Sequence, residues 1–205
     1  GKPMLAYSIE AAINSKYISD VIISTDDQDI ADIAVSFGAT CPFLRPKELA
    51  SDTAMAVDNY IYTVERLNKR YGYKIEDFVV LQPTSPLRST DDIDGAISLF
   101  KKKNADSVIS YVGENHPIRW HKYIKSDGQF ENIFDETLEN RQAERKSYYP
   151  NGAIFIFDVN LIKQKKYYSN NSYAYLMPKT RSLDVDYIED FEYAEYLLGK
   201  ENARK

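Results

Sequence analysis

Three short stretches carry side chains whose types and spacing suit chemistry. The first is VVLQPTSPLR, residues 79–88, where an apolar run ends in Gln82 and Pro83 and Pro86 then stiffen the backbone. Neither proline can donate a ladder hydrogen bond, so a strand must end there. A neutral amide at that end donates and accepts at once, which suits a polyhydroxylated ligand. The continuation is accounted for without function: Ser89 with Asp92 reads as a capping box, and Asp91, Asp92 and Asp94 suit the positive end of a helix. Gln82 is not needed for any of this.

The second stretch is SLDVDYIE, residues 182–189. In an extended segment, residues two apart face the same way, so Asp184 and Asp186 present adjacent carboxylates. Two carboxylates together with substrate phosphates are the usual setting for magnesium, which keeps several waters and rarely takes an all-protein cage. Asp186 with Glu189 also reads as a cap for the last helix, an alternative that leaves Asp184 unexplained. The third stretch holds Asn140-Arg141-Gln142 and, further on, Asn151-Gly152. Arg141 suits a bidentate clamp on a carboxylate or phosphate. Its neighbours Glu139, Glu144, Arg145 and Lys146 equally describe a solvated charged face, and Asn-Gly is the commonest hairpin turn.

Other chemistries find little support. His116 and His121 have the wrong spacing for one helical face, with Pro117 between them and no cysteine nearby, which argues against zinc. Ser85 lies between prolines and outside any Gly-x-Ser-x-Gly elbow, which argues against a serine hydrolase.

The elements that must position these residues alternate. Apolar helical spacing at Leu5, Ile9, Ala12 and Ile13 predicts a first helix with Pro3 in its first turn. A short strand over 21–24 follows, then a helix capped by Thr25 with Gln28 and stopped at Gly38. Further strands are predicted over 41–44, 78–82, 107–112, 153–157 and 173–177, and helices over 52–71, 90–103 and 188–198. This rhythm implies crossovers and a mainly parallel sheet covered on both faces, whose ligands sit beyond the carboxyl ends of the strands. Over 114–150 the rhythm breaks, and an antiparallel excursion turning at Ser126-Asp127-Gly128 is expected.

At 205 residues with 43% hydrophobic and 28% charged residues, the chain has ordinary globular composition and room for one substantial core. A net charge of −5 offers no footprint for a nucleic-acid backbone. No apolar run reaches the length of a bilayer span. The single Cys41 fits a reducing compartment, so a cytoplasmic location is expected.

Taken together, GKPMLAYSIEAA, VIISTDDQDIADIAVSFGA, LRPKELASDTA, LQPTSPLR, NRQ, NGAIFIF and SLDVDYIEDFEYAE resemble, in order, the bacterial CMP-sialic acid synthetases, or acylneuraminate cytidylyltransferases. The resemblance runs over essentially the whole chain. It implies a single domain, residues 1–205, with a Rossmann-like nucleotide-transferase fold that is homodimeric and uses CTP and magnesium. The reaction it implies joins CMP to the anomeric hydroxyl of a nine-carbon 2-keto acid sugar and releases pyrophosphate. Gln82, Arg141 and Asn151 then match sugar-side residues, and Asp184 and Asp186 the metal pair. Arg45, with Ser51 and Asp52, matches the nucleotide side. The excursion over 114–150 matches the dimerisation element, and Arg119, Lys122, Tyr167 and Tyr168 are expected near the sugar's side groups.

The resemblance also implies a first strand and a glycine-rich phosphate loop ahead of Gly1. Their absence from this chain leads to the expectation of a gap in the sheet and poor turnover. Legionaminic, pseudaminic or keto-deoxy-octulosonic acid are alternative sugars. A non-catalytic sugar- or nucleotide-binding module is the alternative class, disfavoured by the paired aspartates.

Overall fold

The computed structural model describes residues 1–51, 53–134 and 145–202. In chain order the helices are α1 (Met4–Ile13), α2 (Gln28–Ser36), α3 (Ala56–Arg70), α4 (Thr90–Lys103), α5 (Val159–Lys163) and α6 (Ile188–Asn202). The strands are β1 (Asp77–Val80), β2 (Ser107–Gly113), β3 (Lys122–Ile124), β4 (Phe130–Asn132), β5 (Tyr148–Asp158) and β6 (Ser172–Leu176).

The main sheet has the order β1-β5-β2-β6. β5 runs antiparallel to both β1 and β2, and β2 runs parallel to β6. Hence β1, β2 and β6 share one direction, and β5 alone opposes them. Its side chains alternate between two cores. Val108 of β2 and Ile156 of β5 face a cluster with Ile93, Ala96, Ile97 and Phe100 of α4. Ile109 and Phe157, one residue on, face Val57 of α3 and Leu161 and Ile162 of α5. That is the period of two expected of a strand buried on both faces. Each fully buried Ile or Phe contributes roughly 1.5–3 kcal/mol of transfer free energy.

The expected capping box of α4 is present, with the Ser89 hydroxyl accepting from Asp92 N–H and the Asp92 carboxylate accepting from Ser89 N–H. The cap of α2 differs from expectation. Asp27 takes the Ile30 N–H at 2.9 Å, and Thr25 instead accepts from the Asp27 N–H. A carboxylate in extended conformation next to the helix is the stronger acceptor and displaces the expected pair. The excursion forms the antiparallel β3–β4 hairpin, with Gly128 at φ +86° in its turn.

The 21–24 and 41–44 segments do not form full strands. A single parallel bridge, Ile22↔Thr40, is what remains of them. Pro42 lacks an N–H to extend the pairing, and the other side of residues 21–25 faces an open cleft rather than a partner. That cleft, about 760 Å³, separates residues 21–25 from residues 77–83 and is walled by Ile9, Ile23, Tyr60, Val64, Val80 and Ile97.

Candidate functional site

Gln82 lies two residues beyond Val80, the last residue of β1, and immediately ahead of Pro83. Its backbone is fixed by a residue that the sequence reading left aside. Arg88 is buried at 3% exposure and donates through Nη2 to the Gln82 carbonyl at 2.8 Å, through Nε to the Ala153 carbonyl at 2.9 Å, and to the Ser8 hydroxyl. One guanidinium thereby joins the end of β1, β5 and α1. Burial pushes the Arg88 guanidinium down to about 10, partly offset by the charge of Asp92, and it stays cationic at neutral pH. No local pattern in residues 82–89 marks Arg88 for this role.

Asn151 and Gly152 lie within β5 rather than in a hairpin turn. The β2–β5 register passes from Ile109↔Phe155 to Tyr111↔Pro150, so extra residues bulge out of β5 opposite Ser110. A bulge re-aims side chains next to a site. Gly152 takes φ +74°, open to glycine without strain. The Asn151 amide is spent inside the protein: Oδ1 accepts from the Ser110 hydroxyl and the Ala153 N–H, and Nδ2 donates to the Ser182 hydroxyl at 2.9 Å and towards the Met177 sulfur. At 3% exposure it anchors the 178–186 loop from within.

That loop brings in the aspartates. It is held at three points: Ser182 on Asn151, the Val185 N–H on the Thr84 carbonyl at 2.8 Å, and Arg181 on Asp92 at 2.7 Å. Asp184 arrives beside Gln82, because a Cβ built on Gly152 would meet Gln82 Oε1 at 2.6 Å and Asp184 Oδ2 at 2.8 Å. The other Asp184 oxygen, Oδ1, is buried without a hydrogen-bond partner. Asp186 is exposed, and its carboxylate is not the helix cap. Asp190, in the first turn of α6, instead reaches back to accept the Asp186 and Tyr187 N–H groups at 3.2 and 3.0 Å. The structure thus brings together Gln82 and Asp184, with Asn151 behind them, while Asp186 is exposed two residues further along the same loop.

Arg45 sits at the end of the 21–25 segment. Its N–H donates to the Thr25 carbonyl at 2.7 Å, and its guanidinium lies 3.7 Å from Asp26 with Nε buried and unpaired. Ser51 is exposed, and its hydroxyl bonds the Glu48 carbonyl at 3.2 Å and lies 3.4 Å from the Thr53 hydroxyl. Arg141 and Asp52 lie outside the described residues. Lys122 pairs with Asn132 within the β3–β4 hairpin, and Tyr167 packs on Phe157 beside the core. Ser85 is fully buried, which removes it as a nucleophile.

The cytidylyltransferase family model matches residues 1–203. The chain belongs to the cytidylyltransferase family. An N-acylneuraminate cytidylyltransferase of Escherichia coli O18:K1:H7 is 35% identical over 209 residues, covering 100% of this chain and 48% of that protein. The chain thus spans about half the length of that relative. A CMP-N,N'-diacetyllegionaminic acid synthase of Legionella pneumophila is 31% identical, covering 97% of this chain and 86% of that one. Among solved structures, a CMP:2-keto-3-deoxy-manno-octonic acid synthetase complexed with CTP matches with a TM-score of 0.71 at 13% identity, over 98% of this chain and 89% of that one. At that identity the likeness shows the shared fold, an α/β mixed sheet with a small antiparallel appendage.

The donor set fits a divalent cation. Asp184 Oδ1 is a buried acceptor left without a donor, and burying such an oxygen unpaired is costly. The exposed Asp186 carboxylate follows two residues later. Among the described residues no group of three or more His, Cys, Asp or Glu side chains converges.

Proposed function

We propose that this cytidylyltransferase transfers CMP from CTP to the anomeric hydroxyl of a nonulosonic acid. The hydroxyl oxygen bonds the α-phosphorus, the bond to the β-phosphate oxygen breaks, and pyrophosphate leaves while the hydroxyl proton passes to solvent. The observation that carries this reading is the convergence of Gln82 and Asp184 on Gly152 at the carboxyl end of the sheet, in a chain of this family.

In this reading the Gln82 amide binds and orients the sugar acid, because it can donate and accept in one contact. Arg141 takes the sugar carboxylate as a bidentate partner. Asn151 acts through Ser182, since its own donors and acceptors are already engaged. Arg45, with Ser51 and Asp52, lies on the nucleotide side. Asp184 and Asp186 hold magnesium, which when bound neutralises phosphate oxygens and makes the attacking hydroxyl easier to ionise. Positioning and charge neutralisation are what such a transfer demands, more than covalent catalysis.

The sugar proposed is a sialic-type nonulosonate, with N-acylneuraminate ahead of legionaminate on the identities of 35% and 31%. We also propose a homodimer assembled through the 114–150 excursion. Its β3–β4 hairpin exposes Tyr123 at 63%, Ile124 at 70% and Phe130 at 62%, and a two-stranded hairpin with bare apolar side chains gains stability by pairing with a second copy. The test of substrate is pyrophosphate release by the full-length enzyme with CTP, magnesium and a panel of nonulosonic acids. Release with N-acylneuraminate above all others supports the finer reading, and no release with any of them refutes the coarser one.

A further inference from the structure

The loop that carries Asp184 and Asp186 has no regular structure beyond a single 3-10 turn, Lys179–Arg181. A loop of that kind places a carboxylate well only if something rigid fixes it. The strongest of its three anchors is an ion pair. Arg181 donates through Nε to Asp92 Oδ2 at 2.7 Å and through Nη2 to Asp92 Oδ1 at 2.9 Å, a two-pronged contact. Asp92 is 1% exposed and is already the partner of Ser89 in the capping box of α4. A buried carboxylate held by a helix cap has little freedom, so the guanidinium docked on it is fixed in direction as well as distance.

The same short stretch also fixes the opposite side of the site. Arg88, just before the cap, holds the Gln82 carbonyl. The start of α4 therefore carries both halves: Gln82 through Arg88, and the aspartate loop through Asp92 and Arg181. A capping box alone has no need of Arg181, because Ser89 and Asp92 already satisfy each other's N–H groups.

We propose that Arg181 and Asp92 are a positioning pair, which holds the 178–186 loop against the first turn of α4 so that Asp184 faces Gln82. Neither residue touches substrate in this account; both act through Asp184, and the inference rests on the role of Asp184 proposed above. A pair that merely stabilised the fold would lower the melting temperature without changing the site's affinity for a cation.

The experiment is a double-mutant cycle on the full-length enzyme, with Arg181→Gln, Asp184→Asn and the double variant. It reads kcat and the KM for CTP, together with Mn2+ affinity by electron paramagnetic resonance of the ion in the absence of turnover. Arg181→Gln is expected to lower kcat and Mn2+ affinity by about tenfold or more each, with the KM for CTP changed by less than about threefold. The double variant is expected to lie within about twofold of Asp184→Asn alone, because a residue acting through another loses its effect once that one is gone. Arg181→Lys keeps the charge but loses the fork, and about a threefold to tenfold loss is expected of it, which preserves the test should Arg181→Gln fail to fold. Additive losses in the double variant, or Arg181→Gln with kcat and Mn2+ affinity unchanged and only a lower melting temperature, overturn the proposal. Full activity in Asp184→Asn instead removes the reading of Asp184 itself, a result separate from either of these.

Discussion

Gln82 and Asp184, from segments far apart in the chain, press on the same missing side chain. A Cβ at Gly152 would stand 2.6 Å from Gln82 Oε1 and 2.8 Å from Asp184 Oδ2. The bulge in β5 and the bare Cα at its crest are what allow the amide and the carboxylate to share one small space. Glycine is required there twice over, for its φ of +74° and for the room it leaves.

Gly152→Ala is therefore expected to cost about 1–3 kcal/mol of stability from the backbone alone. The displaced Gln82 and Asp184 should also lower turnover by about tenfold or more, since small misplacements at a transfer site are costly. Thermal melts and pyrophosphate release on the same preparation check both. A variant with normal melting and normal turnover would show that the two side chains have more freedom than their packing implies.

Asp92 gives a pH signature. Burial alone would raise its carboxyl, but hydrogen bonds from Arg181 and Ser89 and the charge of Arg181 outweigh it and hold the group below the usual value of 3.8. A depressed folded value means that the pair's contribution is complete above the unfolded value and is lost as pH falls through the folded one. The stability difference between wild type and Asp92→Asn should be flat at neutral pH and shrink below about pH 4. Denaturant melts from neutral pH down to acid check this, and a difference that grows on acidification contradicts it.

Gln82→Ala is expected to raise the KM for the sugar acid by about tenfold, the loss of a hydrogen bond or two, while the KM for CTP changes little. Equal losses for both ligands would point to a disturbed β1 end rather than a lost contact.

Much of this was legible in the residues. The capping box of Ser89 and Asp92 and the apolar strands over 107–112 and 153–157 are local patterns, and local patterns survive folding. The β1 end at the prolines is of the same kind, although the ladder stops at Val80, two residues earlier than expected. The cap of α2 went to Asp27 because three neighbouring polar residues competed and geometry chose between them. Residues 41–44 read as a strand by composition, yet the pairing with residues 21–23 stops at Thr40, because Pro42 has no N–H with which to extend it. Asn151-Gly152 reads as a turn in isolation; opposite Ser110 it becomes a bulge. Arg88 and Arg181 were invisible for a related reason. Their partners are the Ala153 carbonyl and Asp92, 65 and 89 residues away, and no spacing rule reaches that far.

The most direct measurement is the turnover of Asp184→Asn in the full-length enzyme with CTP, magnesium and its best nonulosonic acid. The substitution keeps the shape of the side chain and removes the charge that leaves Oδ1 in need of a cation. A fall in kcat of at least about tenfold, with the melting temperature kept, is the predicted result. Undiminished kcat in a folded variant would contradict the placement of the reaction at Gln82 and Asp184.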